Sequence, residues 1–521
     1  MSKDSSISNG VMLNAYPDSI GSNLSDLITM LEAPEFKDVF SLFYVLPTFF
    51  NSDLDRGFSI VDYNLNKELV SEKDLIALDK LNIQLKFDIV LNHLSVASPQ
   101  FKDLLKHGVQ SKYKDFFINW NTFWESNGEL NHEGIIIPKE EFLSKLFMRK
   151  SGLPILNVHF PDGSEQPYWN TFYQKVDYES QSYLGQMDVN AKSELVWKFY
   201  EETLRKLSDF GCKILRLDAF AYLHKEVGLP NFFNKPGTWN YLERIKQIAD
   251  KKDLTLLPEI HAEYGLNLHD EVAKKGYQIY DFFLPGLMIH TLEKKDSRAL
   301  IAWIKEIFDK GYKTVNMLGC HDGIPVLDLK GKVVDGVYCK GLLEDDEIDD
   351  IMNVVLERGG IVKNLYNAEG KKISYYQVNA TYYSALGEID QKLLLARAIQ
   401  IFMPGIPQVW YLDLFAGKND YEAVAKAGPD GHKEINRTTL AMKDVEEGLK
   451  KDVVLKQLEI LRLRKTTKAF LGSARINETL DNEIDIVWTN ENESTQLKAN
   501  LETLTFKIYH YCNGITKTLF S

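Results

Sequence analysis

The chain has 521 residues, 44% of them apolar and 26% charged; at about 150 residues per domain the length suggests three to four units, and the balance is globular, excluding wholesale disorder and fibrous repeats. The net charge of −13 argues against nucleic-acid binding, which depends on clustered Lys and Arg, and gives no reason to expect an anionic membrane as partner.

Short β-prone apolar runs alternate along the chain with amphipathic stretches. In order, the predicted strands are 11–16, 40–45, 85–91, 214–217, 254–257, 278–283, 314–318 and 408–411. The clearest helix precedes the fourth of these. Leu195, Val196, Phe199, Tyr200, Leu204 and Leu207 form one apolar stripe at helical spacing, and Gly211 ends it as a C-terminal cap. Eight such repeats predict an α/β fold, a (β/α)8 TIM barrel; a doubly wound parallel sheet is the competing reading.

Strand four begins about 120 residues after strand three ends, where an ordinary unit takes about 30 to 40. The excess reads as a domain inserted after strand three. Its aromatics Phe116, Phe117, Trp120, Phe123 and Trp124 could stack on sugar rings, but a small hydrophobic core is the favoured reading. A second insertion follows strand seven and carries the acidic run 344–350, which lacks calcium-loop spacing and reads as a solvated helix face or turn. At the end of the chain, Leu504, Phe506 and Ile508 alternate with Thr505, Lys507 and Tyr509, the pattern of a half-buried strand in a small all-β domain. The expected division is 1–93, 188–322 and 387–468 for the barrel, 94–187 and 323–386 for the insertions after strands three and seven, and 469–521 for the C-terminal domain.

Cys212, Cys320, Cys339 and Cys512 are far apart, with no Cys-x-x-Cys, a usage that fits a reducing compartment. The first residues are polar, unlike a secretory signal, and the charge-free stretch 398–412 is interrupted by Pro404, Gly405 and Pro407, too short to span a bilayer. The expected location is the cytoplasm, with no membrane partner. There is no P-loop, no HExxH, no zinc-spaced His/Cys cluster and no GxSxG elbow.

What remains is acids at strand ends. Asp218 follows Arg216 by two residues, which puts both on one face of a strand; Glu259 closes an apolar run with His261 two residues on; the His321-Asp322 pair and His93 stand after two further strands. A charge at the end of an apolar strand is costly unless paired, and in a TIM barrel these ends converge on one mouth. Several carboxylates in one mouth suit glycosyl transfer: one attacks the anomeric carbon, a second protonates the leaving oxygen, a third steadies the oxocarbenium-like transition state. Arg216 keeps its neighbour Asp218 ionised in this reading.

DIVLNH (88–93), RLDA (216–219), EIH (259–261) and HDGI (321–324) resemble four signature segments of the alpha-amylase superfamily of glycoside hydrolases, in the right order. The stretches 318–325, 376–386, 404–410, 416–420 and 434–437 are similar to the sucrose phosphorylase branch. The resemblance implies Asp218 as nucleophile, Glu259 as general acid/base and Asp322 as transition-state stabiliser. It implies Arg216, His93 and His321 around the glucosyl group, and Asp55 paired with Arg437 at its far edge. Phe58, Phe172, Gln186 and Tyr222 would line the glucose and the neighbouring subsite, Tyr376 and Gln377 the acceptor side. Phosphate would meet Arg149 or Lys150, which read equally as a solvated basic pair, and His261. The branch catalyses reversible phosphorolysis of an alpha-glucoside to alpha-glucose 1-phosphate with no metal or other cofactor, as monomers or homodimers.

Two departures concern the acceptor. Tyr375 stands where sucrose phosphorylases usually have Leu, and DRGFS (55–59) replaces their DAGFD. DRGF is closer to relatives acting on sucrose 6'-phosphate, glucosylglycerol or glucosylglycerate, although the acceptor loop has no His of the kind the phosphate-ester enzymes tend to carry. Sucrose is the default donor and glucosylglycerol the alternative. A hydrolase or transglucosidase on the same site also fits the motifs; a non-catalytic sugar-binding relative would be expected to lack one of the three carboxylates.

Overall fold

A computed structural model of the chain describes residues 7–146, 148, 152–177, 182–366, 372–428 and 431–520. Eight parallel strands form the central sheet: β1 Val11–Ala15, β2 Phe40–Val45, β3 Gln84–Val90, β4 Cys212–Asp218, β5 Thr255–Pro258, β6 Ile279–Asp281, β7 Thr314–Met317 and β8 Ile406–Trp410. Their spatial order is β5-β4-β3-β2-β1-β8-β7-β6. The two end strands, β5 and β6, are neighbours in sequence and touch, so the sheet closes on itself. A doubly wound sheet would instead reverse direction at a switch point; this order has none.

Some predicted boundaries shift. β8 starts at Ile406 and includes Pro407, which the sequence pattern treats as an interruption. Strand six is shorter than 278–283: Asp281 ends it by accepting the backbone N–H groups of Phe283 and Leu284, each at 3.1 Å, which starts the helix Leu284–Lys294. The helix before β4 spans Glu194–Asp209, and Gly211 follows at φ +90, a conformation glycine adopts without steric cost. Its buried face is Val196, Trp197, Tyr200, Thr203, Leu204 and Leu207. Leu195, expected on that stripe, is 41% exposed, because the face follows positions 196, 200, 204 and 207 and Leu195 lies beside it.

The barrel interior is partly polar. Arg216 on β4 is in register with Asp88 on β3. Below them, Lys86 is fully buried, donates to Gln408 Oε1 at 2.8 Å and lies over the rings of Tyr44 and Tyr280 at 3.7 and 4.3 Å. Each of these charges has a partner, which is the condition for burying it.

The chain between β3 and the helix Glu194–Asp209 makes a separate excursion. Its neck is the antiparallel pair His93–Ser95 and Ser182–Asp188. Phe116, Phe117, Trp120 and Trp124 are buried, and Trp120 and Trp124 pack with Ile118, Ile135 and Trp169, with Phe123 against them, so these aromatics are core. The neck is fastened to the barrel by Lys225, whose Nζ reaches Asp188 Oδ2 at 2.8 Å, Asn92 Oδ1 at 2.8 Å and the Tyr222 carbonyl at 2.7 Å. Both members of the ion pair are buried. Breaking a buried pair from one side leaves the other charge uncompensated and costs about 3–5 kcal/mol. Lys225→Met is therefore expected to lower the calorimetric unfolding midpoint clearly; an unchanged midpoint would contradict this role.

After β7, the acidic run heads the helix Asp345–Glu357: Glu344 is the N-cap, and Asp345, Asp346 and Glu347 fill the first turn. Carboxylates there are stabilised by the unpaired N–H groups of the helix start. The chain closes in a five-stranded antiparallel sheet, in which Phe506 and Ile508 are buried as their alternation predicts, while Leu504 is half-buried in a turn at φ 55. None of the four cysteines is in a disulfide. Among the described residues, no helix is long and apolar enough to cross a membrane.

Candidate active site

The mouth is built on Arg216. The alternation of β4 points Arg216 and Asp218 to the same side, and register with β3 brings Asp88 alongside. Arg216 Nη1 lies 2.6 Å from Asp88 Oδ1 and 3.0 Å from Asp218 Oδ1, and Nη2 pairs with Glu259 Oε1. Asp88 is in turn held by the Tyr44 hydroxyl, which donates at 2.7–2.9 Å. Arg216 and Asp88 are each 1% exposed. A guanidinium fixed from below offers its remaining donors to the two carboxyls above it in one orientation.

Glu259 directly follows β5, and its N–H donates to the Leu217 carbonyl at 3.3 Å. The carboxyls of Asp218 and Glu259 are held side by side on one guanidinium, Asp218 at Nη1 and Glu259 at Nη2, so each feels the charge of the other. Burial and the charge of Glu259 outweigh Arg216 and push Asp218 well above the usual carboxylate range, contrary to the expectation that Arg216 keeps it ionised. Burial also pushes Glu259 up, but Arg216 and His261 outweigh it and hold Glu259 low. His261 Nε2 is 3.5 Å from Glu259 Oε1, its ring stacks on Phe282 at 3.8 Å, and its Nδ1 faces Asp328.

His321 and Asp322 stand four and five residues beyond β7, on a loop that passes tightly over Asp413: a Cβ at Gly319 would collide with that carboxylate. Asp322 is 2.5 Å from Lys433 Nζ, 3.4 Å from His321 Nε2 and 3.7 Å from Arg437 Nη2. Burial pushes its carboxyl up, but Lys433, His321 and Arg437 hold it well below the usual range. Burial lowers His321 to about 3 and also lowers His93, so both are neutral rings at pH 7. The Nδ1 atoms of His93 and His321 are buried and have no protein hydrogen-bond partner, as groups turned toward a polar ligand would be.

The expected lining residues gather here. Phe58 stacks on His321 at 5.2 Å and lies under Arg216; its carbonyl faces His93 Nε2 at 3.2 Å and accepts from Gln186 Nε2 at 3.5 Å. Phe172 packs on His93 and on Tyr222, at 5.0 and 5.2 Å. Gln377 is buried against Gly323, next to Asp322. Tyr376 lies on the adjoining strand Lys372–Asn379, but its side chain, like Arg149 and Lys150, lies outside the described residues.

The expected Asp55–Arg437 pair is not among the ion pairs of the described residues. Arg437 Nη1 takes Glu434 at 3.2 Å, and its Nε donates to the His321 carbonyl at 2.8 Å. The other Glu434 oxygen takes Arg56 at 3.5 Å. Asp55 is exposed and acts on Lys433 and Arg437 only through space. Asp55 and Arg56 both have positive φ, 50 and 49, and a Cβ at Gly57 would strike the Thr48 amide. The sharp turn carries Phe58 into the mouth and leaves Asp55 at the rim; strain of this kind is concentrated at ligand sites.

The sequence reading gives no role to Tyr44 or Lys433, nor to Asp88, which opens the DIVLNH segment, and it does not single out Asp328, which stands behind His261. Asp88 was in principle visible, being two residues from the end of β3, but needs the strand register to meet Arg216. Lys433 and Asp328 lie in short 3-10 turns, Gly431–Asn436 and Leu327–Leu329, whose partners no periodicity marks.

Comparison with known proteins places this geometry. Residues 39–282 match the model of the alpha-amylase catalytic domain. The chain is 58% identical over 516 residues to a sucrose 6(F)-phosphate phosphorylase of Ilumatobacter coccineus, covering 99% of this chain and 98% of that protein. It is 34% identical to a sucrose phosphorylase of Streptococcus mutans, covering 96% and 98%. It superposes on the crystal structure of sucrose 6F-phosphate phosphorylase from Thermoanaerobacter thermosaccharolyticum with a TM-score of 0.87 at 34% identity, covering 99% and 98%. The chain belongs to the alpha-amylase superfamily, in its sucrose phosphorylase branch.

Proposed function

We propose that the protein is a retaining glucosyl phosphorylase that transfers a glucosyl unit between inorganic phosphate and the fructosyl side of a sucrose-type donor, with sucrose 6F-phosphate preferred and sucrose second. The observation that carries this is that Arg216 binds both Asp218 and Glu259 and lies over Phe58, whose ring stacks on His321 beside Asp322, in a chain 58% identical to a protein of the 6F-phosphate type.

In the first step Asp218 attacks the anomeric carbon, the glycosidic bond breaks, and Glu259 gives its proton to the departing oxygen. In the second, a phosphate oxygen bonds to that carbon as Asp218 leaves as carboxylate, and Glu259 takes the phosphate hydroxyl proton. Two inversions give retention. That one guanidinium binds both carboxyls, Asp218 at Nη1 and Glu259 at Nη2, supports this over single displacement, which needs about 6.5–9.5 Å between them for a water. The first step needs the proton on Glu259 while Asp218 attacks, the reverse of the bias that burial, Arg216 and His261 give the two carboxyls, and Arg216, bonded to both, can follow the charge. Asp322, held ionised by Lys433, faces the positive charge that develops on the ring. The neutral His93 and His321 offer ring nitrogens to sugar hydroxyls. Four cysteines without a disulfide support a cytoplasmic location, and we place the enzyme there as a monomer or homodimer.

The test is the synthetic direction. Glucose 1-phosphate is offered with fructose, fructose 6-phosphate, glycerol and glycerate in parallel, and phosphate release is scored. Fructose 6-phosphate is expected to give the highest kcat/KM. Fastest release with glycerol would move the assignment to glucosylglycerol, and free glucose formed at the same rate with no acceptor would make the protein a hydrolase.

A further inference from the structure

The His261 ring stands between two carboxylates, of which only Glu259 has a part in the chemistry above. The other is Asp328, in the single turn Leu327–Leu329 after β7. Both of its oxygens lie 3.4 Å from His261 Nδ1, on the side of the ring away from Glu259. Asp328 is 1% exposed, and among the described residues it has no other ion-pair partner. A carboxyl this deep is costly to bury without a cation or donor facing it, and His261 faces it. Among the described residues, the groups that face the ring include Glu259 from its own strand end, Asp328 from the loop after β7 and the Phe282 face at 3.8 Å, with Arg216 reaching Glu259 from β4; the Cys320 thiol acts on it through space.

An acceptor hydrogen-bonded to Nδ1 fixes the tautomer and orientation of an imidazole and favours its protonated form. The mouth needs such a cation. Phosphate is an anion that must approach Asp218, Glu259 and Asp322, and Arg216 is already committed to three carboxylates.

We propose that Asp328 is a positioning residue: by holding Nδ1 of His261 it keeps that ring a cation on the acceptor side of Glu259, and so sets the preference of the glucosyl-enzyme for phosphate over water. This rests on the phosphorylase reading. It assigns Asp328 no contact with the sugar; its effect passes through His261 and falls on the anionic acceptor, because water needs no counter-charge.

The test is Asp328→Asn, which keeps volume and one acceptor oxygen but removes the charge. Phosphorolysis and phosphate-free hydrolysis of alpha-glucosyl fluoride are measured side by side. The expected result is a KM for phosphate raised about 10-fold or more, with kcat at saturating phosphate and the hydrolysis rate changed less than about 3-fold, the split expected when a counter-charge for the anion is lost. Asp328→Glu, which restores the charge, is expected to recover most of the phosphate affinity. Combining Asp328→Asn with His261→Gln should raise KM no further than His261→Gln alone, because the two act as one unit. Equal loss with phosphate and water, or an additive double variant, would show a structural role and overturn the inference; an unchanged KM would overturn it as well. The unmodified protein is its own control. If it forms no glucose 1-phosphate, the phosphorylase reading fails and takes this with it, whereas a phosphate-using wild type with an unaffected Asp328→Asn refutes the Asp328 role alone.

Discussion

Asp218→Asn is expected to lower turnover on the order of 10⁵-fold or more, with every donor including activated ones, since loss of a nucleophile removes the covalent route altogether. The fold should survive. Asparagine keeps the volume and an oxygen for Arg216 Nη1, which lies 3.0 Å away, and the change takes away a carboxyl that burial and the charge of Glu259 already disfavour as an anion. The unfolding midpoint should therefore stay the same or rise. Steady-state kinetics with alpha-glucosyl fluoride and a thermal melt check both halves, and substantial retained activity would reassign the nucleophile.

Glu259→Gln should behave differently, and the difference is diagnostic. With a sugar or sugar-phosphate leaving group the loss is expected to be about 10²–10⁴-fold, the usual contribution of a general acid. Fluoride leaves without a proton, so with alpha-glucosyl fluoride the first step should be affected by less than about 10-fold, while the second, which needs a base to accept the phosphate or water proton, slows. The glucosyl-enzyme then accumulates, and azide, a nucleophile that requires no base, should restore turnover. An equal loss with fluoride and with the natural leaving group, and no effect of azide, would remove Glu259 from the acid/base role.

The barrel is legible in the sequence because each of its strands is a short apolar run placed between helical stripes, and a closed parallel sheet accommodates such units in chain order. The three carboxylates are legible because an acid closing an apolar run conflicts with burial unless something meets it. What the pattern does not carry is the choice of partner between distant loops. Arg437 is met by Glu434, one turn before it, and not by Asp55, because two consecutive positive-φ residues swing Asp55 to the rim. Lys433 and Asp328 become visible only when the loops after β7 and β8 are folded over the mouth. Leu195 shows the same limit on a smaller scale: helical spacing finds the stripe, but the packed neighbour decides which edge of it is buried.

The central claim is that Asp218 becomes covalently glucosylated in a hollow it shares with Glu259 and Asp322. The most direct measurement is mass spectrometry of the Glu259→Gln protein after brief exposure to alpha-glucosyl fluoride, followed by proteolysis and sequencing of the labelled peptide. A gain of one hexosyl unit is expected on the peptide containing Asp218, lost when azide is added. A hexosyl group on any other carboxylate would contradict it, as would an unlabelled protein that still turns the donor over.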